Sequence, residues 1–515
     1  MKGGENGMAE HDGARGAIRP RRVRKPTLDK DLGKIQQVEQ VTRSLTLRFL
    51  GPGIALVFLV FAGSFAAFHI GSAPSGVLIV AAAVIGAYMA LTIGANDVAN
   101  NVGPAVGARA LTMTGALLIA AVFESAGALI AGGEVVETIS KGLVDPAVVP
   151  DGGVFIWIMM SALLASAVWV HLATLLNAPV STTHAIVGGV LGSALAAMGL
   201  EPINWPVLGA IAASWVISPV LGGVIAALLL AFIKVMIIYR DDKIAAARRW
   251  VPLLTALMAG VFGGYLVVKG LGRVWKPGPL TVAVLSLAVF GLVYAVVKPL
   301  IRRQSEGMEN RNQSLRRLFH LPLICSAALL SFGHGANDVA NAVGPLAAIL
   351  HAADQGPIGS DVAIPLWVMM IGAFGISLGL LLFGPRLVRL VGEQITKMNP
   401  MRAFCVALSA AITVIVASWF GMPVSSTHIA VGAIFGVGFF REYWTVHSER
   451  RRHFVRARGA LHNPHRLVPV DQEEFRRRRL VRRSHLMTIV AAWIITVPAA
   501  AAISALTFLM IQFAS

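Results

Sequence analysis

Apolar runs of about twenty residues recur along the whole chain, and a run of that length can satisfy its backbone within hydrocarbon only as a helix. They lie at about 51–71, 76–95, 113–131, 154–176, 183–199, 205–238, 251–271, 280–300, 321–345, 365–384, 402–420, 427–440 and 487–513. The fold class that follows is an all-α integral membrane protein with about 11–13 apolar helical segments. A transmembrane barrel would instead show short strands of alternating polarity. Composition agrees: 56% of residues are hydrophobic and 14% charged, with a mean hydropathy of +0.72, whereas soluble domains carry about a quarter charged residues. The only cysteines, Cys325 and Cys405, fall in apolar segments, so single buried thiols are expected rather than a disulfide framework.

The formal charge of +18 sits between the apolar runs rather than on a nucleic-acid face. Arg15, Arg19, Arg21, Arg22, Arg24 and Lys25 precede the first run, Arg302, Arg303, Arg316 and Arg317 lie in the central loop, and Arg450 to Arg452, Arg476 to Arg479, Arg482 and Arg483 fill the loop of about 441–486. Basic loops mark the cytoplasmic side. The bilayer is therefore the expected partner and no nucleic acid is. About fifty polar residues before the first run argue against a cleaved signal peptide, which predicts a multi-pass protein of the cell (inner) membrane.

Within this apolar background the heptapeptide GANDVAN occurs twice, at Gly94–Asn100 and Gly335–Asn341. The copies extend to GANDVANNVGP and GANDVANAVGP, differing only at Asn101 against Ala342. A second pair follows at nearly the same distance: APVSTTH at Ala178–His184 and MPVSSTH at Met422–His428, 88 residues from Asn96 to His184 and 91 from Asn337 to His428. The chain is thus two homologous halves. Counting spans from a cytoplasmic N-terminus, the second runs inward into the first GANDVAN, whereas the span from Leu321 runs outward into the second. Opposed senses predict inverted-topology repeats, which place a binding site near the midplane for alternating access; a channel would not need this symmetry. The stretches 154–199 and 402–440 each carry a polar break, at Asn177–His184 and Gly421–His428. Each is either two spans or a re-entrant hairpin; the hairpin reading is preferred, with Pro179 and Pro423 stopping the first helix and the Ser/Thr run opening the second.

Polar clusters at membrane depth are expensive and mark sites. Asn96, Asp97 and Asn100 span about one helical turn, as do Asn337, Asp338 and Asn341, with Gly103–Pro104 and Gly344–Pro345 expected to break each helix. No Lys or Arg lies within either heptapeptide, so a bound cation is the natural companion of Asp97 and Asp338. Ser181, Thr182 and Thr183, with Ser425, Ser426 and Thr427, place three hydroxyls at each expected helix N-terminus, where free N–H groups and the dipole favour an anion of several oxygens. Two carboxylates beside an anion repel strongly unless cations enter too, which predicts obligatory coupling. Glu124 is a further intramembrane carboxylate; aligning Gly127–Gly132 with Gly379–Gly384 sets Ile376 opposite it, an asymmetry suited to an ion or proton site in one half. Arg109 is either an anion contact or a membrane-boundary residue, and His184 and His428 are either relays or packed residues. Gly222–Gly223 and Gly263–Gly264 read as close-packing surfaces. Ser181 and His184, three apart on a tight turn, do not make an oriented nucleophile–base pair, so no enzyme is expected.

The paired GANDVAN, PVSTTH and PVSSTH motifs resemble those of the Pit family of inorganic phosphate transporters, known in animals as solute carrier family 20, over roughly 76–200 and 320–440. The resemblance implies a cation-coupled phosphate symporter. Phosphate would be held by Asn96, Asp97, Asn100, Ser181, Thr182 and Thr183 from one half and by Asn337, Asp338, Asn341, Ser425, Ser426 and Thr427 from the other. The coupling ion, sodium or proton, is assigned to Asp97, Asp338 and Glu124. A permease for sulfate or another tetrahedral oxyanion is the alternative. No cofactor is expected, a resident metal is left unassigned, and a homodimer is left open. The expected division is a basic cytoplasmic tail over 1–48, a first transmembrane half over 49–300 with repeat 1 at about 76–200, a cytoplasmic loop over 301–320, repeat 2 over 321–440, a basic cytoplasmic loop over 441–486 and a C-terminal helix over 487–515.

Overall fold

The structure is a computed structural model in which residues 49–71, 75–144, 148–149, 151–270, 275–353, 364–392, 398–449 and 483–514 are described. The basic tail and nearly all of the arginine-rich loop after the second repeat lie outside these residues. Two compact units divide the chain, Met1–Ile54 and Ala55–Ser515; the packing described below is that of the second.

Every apolar run is helical. The order is α1 (Phe49–Ile70), α2 (Gly76–Gly107), α3 (Met113–Ala131), the short α4 (Gly133–Glu137) continuing into a π-helical turn at Thr138–Gly142, α5 (Gly152–Leu175), α6 (Thr182–Met198) and α7 (Trp205–Ile233). There follow α8 (Lys243–Lys269), α9 (Pro279–Gln304), the short α10 (Asn312–Leu318), α11 (His320–Ala353), α12 (Leu366–Leu390), α13 (Pro400–Trp419), α14 (Ser426–His447) and α15 (Arg483–Ala514). Among the described residues ten helices are long and apolar enough to cross a membrane, or eleven when α10 and α11, bent by 46°, count as one span. No strand forms there; one isolated bridge joins Val144 to Ile203. Helix α9 leaves Leu280, Val284, Leu287, Leu292 and Val296 exposed, an apolar face of the kind that membrane-spanning helices present.

The two GANDVAN segments lie inside α2 and α11, the most enclosed helices, where burial runs continuously from Met89 to Ala105 and from Ser326 to Leu346. A helix buried on all sides belongs to the centre of the protein. The expected breaks do not occur: α2 runs through Gly103–Pro104 to Gly107, and α11 passes Pro345 and continues to Ala353. Proline's fixed φ fits a helix and removes only one donor. In α2 it falls in the last turn, where the Pro104 carbonyl still accepts from Ala108 N at 3.0 Å.

Glycines set how the central helices are held. A Cβ on Gly94 would lie 1.9 Å from the Ile376 carbonyl of α12, and one on Gly335 would lie 2.0 Å from the Glu124 carbonyl of α3. The reverse contacts match: a Cβ on Gly127 of α3 would lie 1.9 Å from the Phe332 carbonyl, and one on Gly379 of α12 would lie 2.0 Å from the Leu91 carbonyl. So α2 crosses α12 as α11 crosses α3, by equivalent residues, and the alignment that sets Glu124 opposite Ile376 holds in space.

Helices α5 and α6 run antiparallel, since Ser166 Oγ donates to the Ala185 carbonyl and Ser193 Oγ to the Ile158 carbonyl, both at 2.9 Å. Each return helix carries a glycine surface for an outer helix. Gly188 and Gly192 of α6 meet the Val497 and Ala501 carbonyls of α15, and Gly432 and Gly436 of α14 meet the Pro219 and Gly223 carbonyls of α7. The close-packing reading of Gly222–Gly223 and Gly263–Gly264 agrees, the latter meeting Val289 and Ser286 of α9.

Candidate functional site

The polar turns between α5 and α6 and between α13 and α14 are built alike. Asn177 and Gly421 take left-handed φ values of 58° and 65°, the conformation that ends a helix, and proline follows two residues later. Ser181 and Ser425 then cap the next helix, each accepting from the backbone N of His184 at 3.1 Å or His428 at 3.2 Å. The expected N-terminal role of the Ser/Thr runs is therefore met, with the first hydroxyl of each run used as a cap.

Asn96 and Asn337 fasten these turns to the central helices. Asn96 Nδ2 donates to Thr174 Oγ1 at 2.9 Å and to the Ala178 carbonyl at 3.3 Å, and its Oδ1 accepts from Val180 N. Asn337 Nδ2 donates to Ser418 Oγ at 3.0 Å and to the Met422 carbonyl at 3.1 Å, and its Oδ1 accepts from Val424 N. Both carboxamides are thus occupied by turn backbone. The second turn is also held from outside the repeat, where Thr138 Oγ1 donates to the Gly421 carbonyl at 2.7 Å.

The remaining predicted residues converge. Thr182 donates to Asp97 Oδ2 at 2.9 Å, and Ser426 donates to Asp338 Oδ2 at 3.0 Å. The halves then exchange contacts: Asn100 Nδ2 donates to Thr427 Oγ1 at 2.8 Å, Asn341 Nδ2 lies 3.3 Å from both Thr182 Oγ1 and Thr183 Oγ1, and Thr427 Oγ1 is 3.2 Å from Asp97 Oδ1. Thr183 reaches the Val424 carbonyl at 3.0 Å, and Thr427 reaches the Val180 carbonyl at 3.4 Å. All of these side chains are buried. Asp338 Oδ1 and Asn341 Oδ1 have no hydrogen-bond partner among the described residues, and buried polar atoms of that kind call for a ligand or water.

His334, one residue before the second GANDVAN, also enters the site. Its Nε2 lies 2.7 Å from Asp338 Oδ2 and 3.8 Å from Asp97 Oδ2, and its Nδ1 lies 3.3 Å from Glu124 Oε2. Asp97, His334 and Asp338 each bring an N or O atom within 4.8 Å of the others. Glu124 approaches the aspartates through this imidazole, and its Oε1 accepts from Asn101 Nδ2 at 2.7 Å. The available sequence signal for His334 was its replacement by Ile93 at the matching position of the other copy. His184 and His428 meet across the halves with ring centroids 4.3 Å apart, and His184 lies 3.8 Å from the Trp215 ring, which is the packed arrangement. Arg109 is exposed at the end of α2, a boundary position away from the buried site.

Two aspartates, two carboxamides and four hydroxyls can together hold an anion through donors and a cation through carboxylate oxygens. The helix N-termini of α6 and α14 add backbone N–H groups that favour the anion. The profile of the phosphate transporter family matches residues 93–504. A protein named "putative phosphate permease" from Helicobacter pylori strain J99 is 43% identical over 94% of this chain and 99% of its own length. One of the same description from Pyrococcus abyssi is 34% identical over 82% of this chain and 96% of its own. Among solved structures, "The sodium-dependent phosphate transporter" superposes with a TM-score of 0.74 and 33% identity, covering 85% of this chain and 99% of that one. With its multi-pass helical fold, the chain belongs to the phosphate transporter family.

Proposed function

We propose that this protein carries inorganic phosphate across the cytoplasmic membrane by cation-coupled symport, through alternating access between two inverted repeats whose re-entrant turns meet at the site. One observation carries the reading: Asp97 and Asp338 are enclosed together with the hydroxyls of both turns, and among the described residues their only ion-pair partner is His334. At the 4.8 Å limit between ligand atoms, two unit charges at an effective dielectric of about 20 repel by about 3.5 kcal/mol. A phosphate brought into the same space adds to that repulsion unless cations enter with it.

Phosphate is assigned to Thr182, Thr183, Ser426, Thr427, Asn100 and Asn341, and the cations to Asp97 and Asp338. Asn96, Asn337, Ser181 and Ser425 shape the site by holding the turns. The solved relative is described as sodium-dependent, which makes sodium the first ion to test and the proton the second. The decisive measurement is radiolabelled phosphate uptake into liposomes, with sodium and proton gradients imposed separately and sulfate as competitor. Accumulation above equilibrium under one gradient, resistant to sulfate, is expected. Uptake that only equilibrates would overturn symport, and efficient competition by sulfate would overturn the assigned anion.

A further inference from the structure

The two hairpin turns are built alike but are not held alike. At the second, Thr138 Oγ1 donates to the Gly421 carbonyl at 2.7 Å, and a Cβ on Gly421 would lie 3.3 Å from both Thr138 Oγ1 and the Glu134 carbonyl. Two residues earlier, Lys269 Nζ stands 4.9 Å from the centroid of the Trp419 ring, with the Tyr265 ring 5.6 Å away. Tyr265 and Lys269 are one turn apart on one face of α8, and Lys269 also pairs with Glu134 of α4. The end of α13 is thus gripped by α4, its π-helical continuation and α8 together.

The first turn lacks the means for such a grip. Aligning APVSTTH with MPVSSTH sets Leu175 opposite Trp419, and aligning Gly127–Gly132 with Gly379–Gly384 sets Leu390 opposite Thr138 and Arg386 opposite Glu134. Leu390 has no hydroxyl, Leu175 offers no ring to a cation, and Arg386 reverses the charge. Lys269 comes from the stretch between the two motif sets. The same turn therefore forms without these contacts. They are also placed where they can part: Trp419 is 42% exposed, the Glu134 side chain is 47% exposed, and cavities of about 480 and 490 Å³ share Glu134 and Glu137 in their walls, one reaching Trp419–Gly421 and the other Lys269. Arg248 Nε of α8 donates to Ser305 Oγ at the end of α9 at 2.6 Å. The start of α8 thus shares a face with Arg302 and Arg303, the expected cytoplasmic side, and Lys269 at its far end faces outward.

We infer that Lys269, Glu134 and Thr138 are positioning residues that form an outer latch on the second hairpin. While it is closed, the tip at Trp419–Gly421 stays against α4 and α8, so the latch sets what fraction of the unloaded carrier opens outward. A part-exposed ion pair and a cation–π contact are each modest in strength, which suits contacts that break and re-form in every cycle. The inference rests on the symport reading above and adds to it a built-in preference for one face.

The test uses the full-length protein in right-side-out and inside-out membrane vesicles, with K269M, T138V and W419L, the last copying the first turn. Phosphate offered to one face binds only the fraction open to that face, so the ratio of the half-saturating concentrations at the outer and inner faces reads the balance between the two openings. Weakening the latch should lower that ratio, on the order of tenfold for K269M, and K269R, which keeps the charge, should stay near the parent. A merely structural role would change the amount of active protein, hence the maximal rate, and leave the ratio where it was. Closing the latch covalently is the converse: in T138C/G421C the new Cβ stands 3.3 Å from the Thr138 hydroxyl position, and the oxidised pair should stop uptake until it is reduced. A ratio unmoved in all three weakened variants, or uptake undisturbed by the formed disulfide, would overturn the latch alone. A parent protein that carries no phosphate would fail the symport reading and the latch with it.

Discussion

Replacing Thr427 by valine removes a single hydroxyl at almost constant shape, at the point where one half's turn meets the other half's motif. Two buried groups lose a partner: Asn100 Nδ2, which donates to Thr427 Oγ1 at 2.8 Å, and Asp97 Oδ1, 3.2 Å from the same oxygen. Each buried polar group left unsatisfied costs about 1–3 kcal/mol, and a mid-to-low value of about 1.5 for each gives about 3 kcal/mol. Only the arrangement in which the turns meet bears this cost. Its population should therefore fall on the order of a hundredfold, at about 1.4 kcal/mol per factor of ten. Phosphate uptake into liposomes should drop to a similar extent, while Thr427→Ser, which keeps the hydroxyl, should stay close to the parent rate. Equal uptake by the valine variant and the parent would refute the claim that this contact between halves belongs to the transport cycle.

Asp97→Asn should leave folded protein in the membrane yet raise the cation concentration needed for half-maximal uptake, because attraction worth about 4 kcal/mol at 4 Å and an effective dielectric of about 20 is removed; unchanged ion dependence would count against the assignment. Gly335→Ala drives a methyl group to within 2.0 Å of the Glu124 carbonyl. Overpacking of this kind costs about 1–3 kcal/mol or more, and a clear fall in melting midpoint is expected. Gly291→Ala, with nothing within 4 Å of the new methyl, should leave the midpoint equal or higher, since alanine favours helix by up to about 1 kcal/mol. Asn337→Ala frees the Met422 carbonyl and Val424 N, and faster proteolysis or hydrogen exchange across residues 420–425 is the readout.

The helical spans were legible because apolar runs of hydrocarbon length leave the backbone one solution. Duplication of the motifs, and a helix start at each Ser/Thr run, could likewise be read directly; the caps made by Ser181 and Ser425 were not, since each reads as one of three hydroxyls offered to an anion. Helix ends were harder: Gly103–Pro104 reads as a stop, yet burial against α12 and its continuation carries α2 four residues beyond Gly103, to Gly107, with the Gly103 position packed against Val391. For Asn96 and Asn337 the motif shows the carboxamide and not the turn, some eighty residues on, whose backbone it holds. His334 was missed because its partners are distant in sequence. Comparing the copies position by position would have exposed it, since Ile93 against His334 and Ile376 against Glu124 are departures that only a folded crossing brings together.

Each hairpin turn lends a threonine to the other's main chain, Thr183 to Val424 and Thr427 to Val180. Neither loop can retreat without undoing a bond that its counterpart also depends on. In the transport cycle proposed above, an exit opened towards one compartment would therefore loosen the seat facing the other, and cargo would leave a cradle already coming apart rather than one wall of a rigid cup.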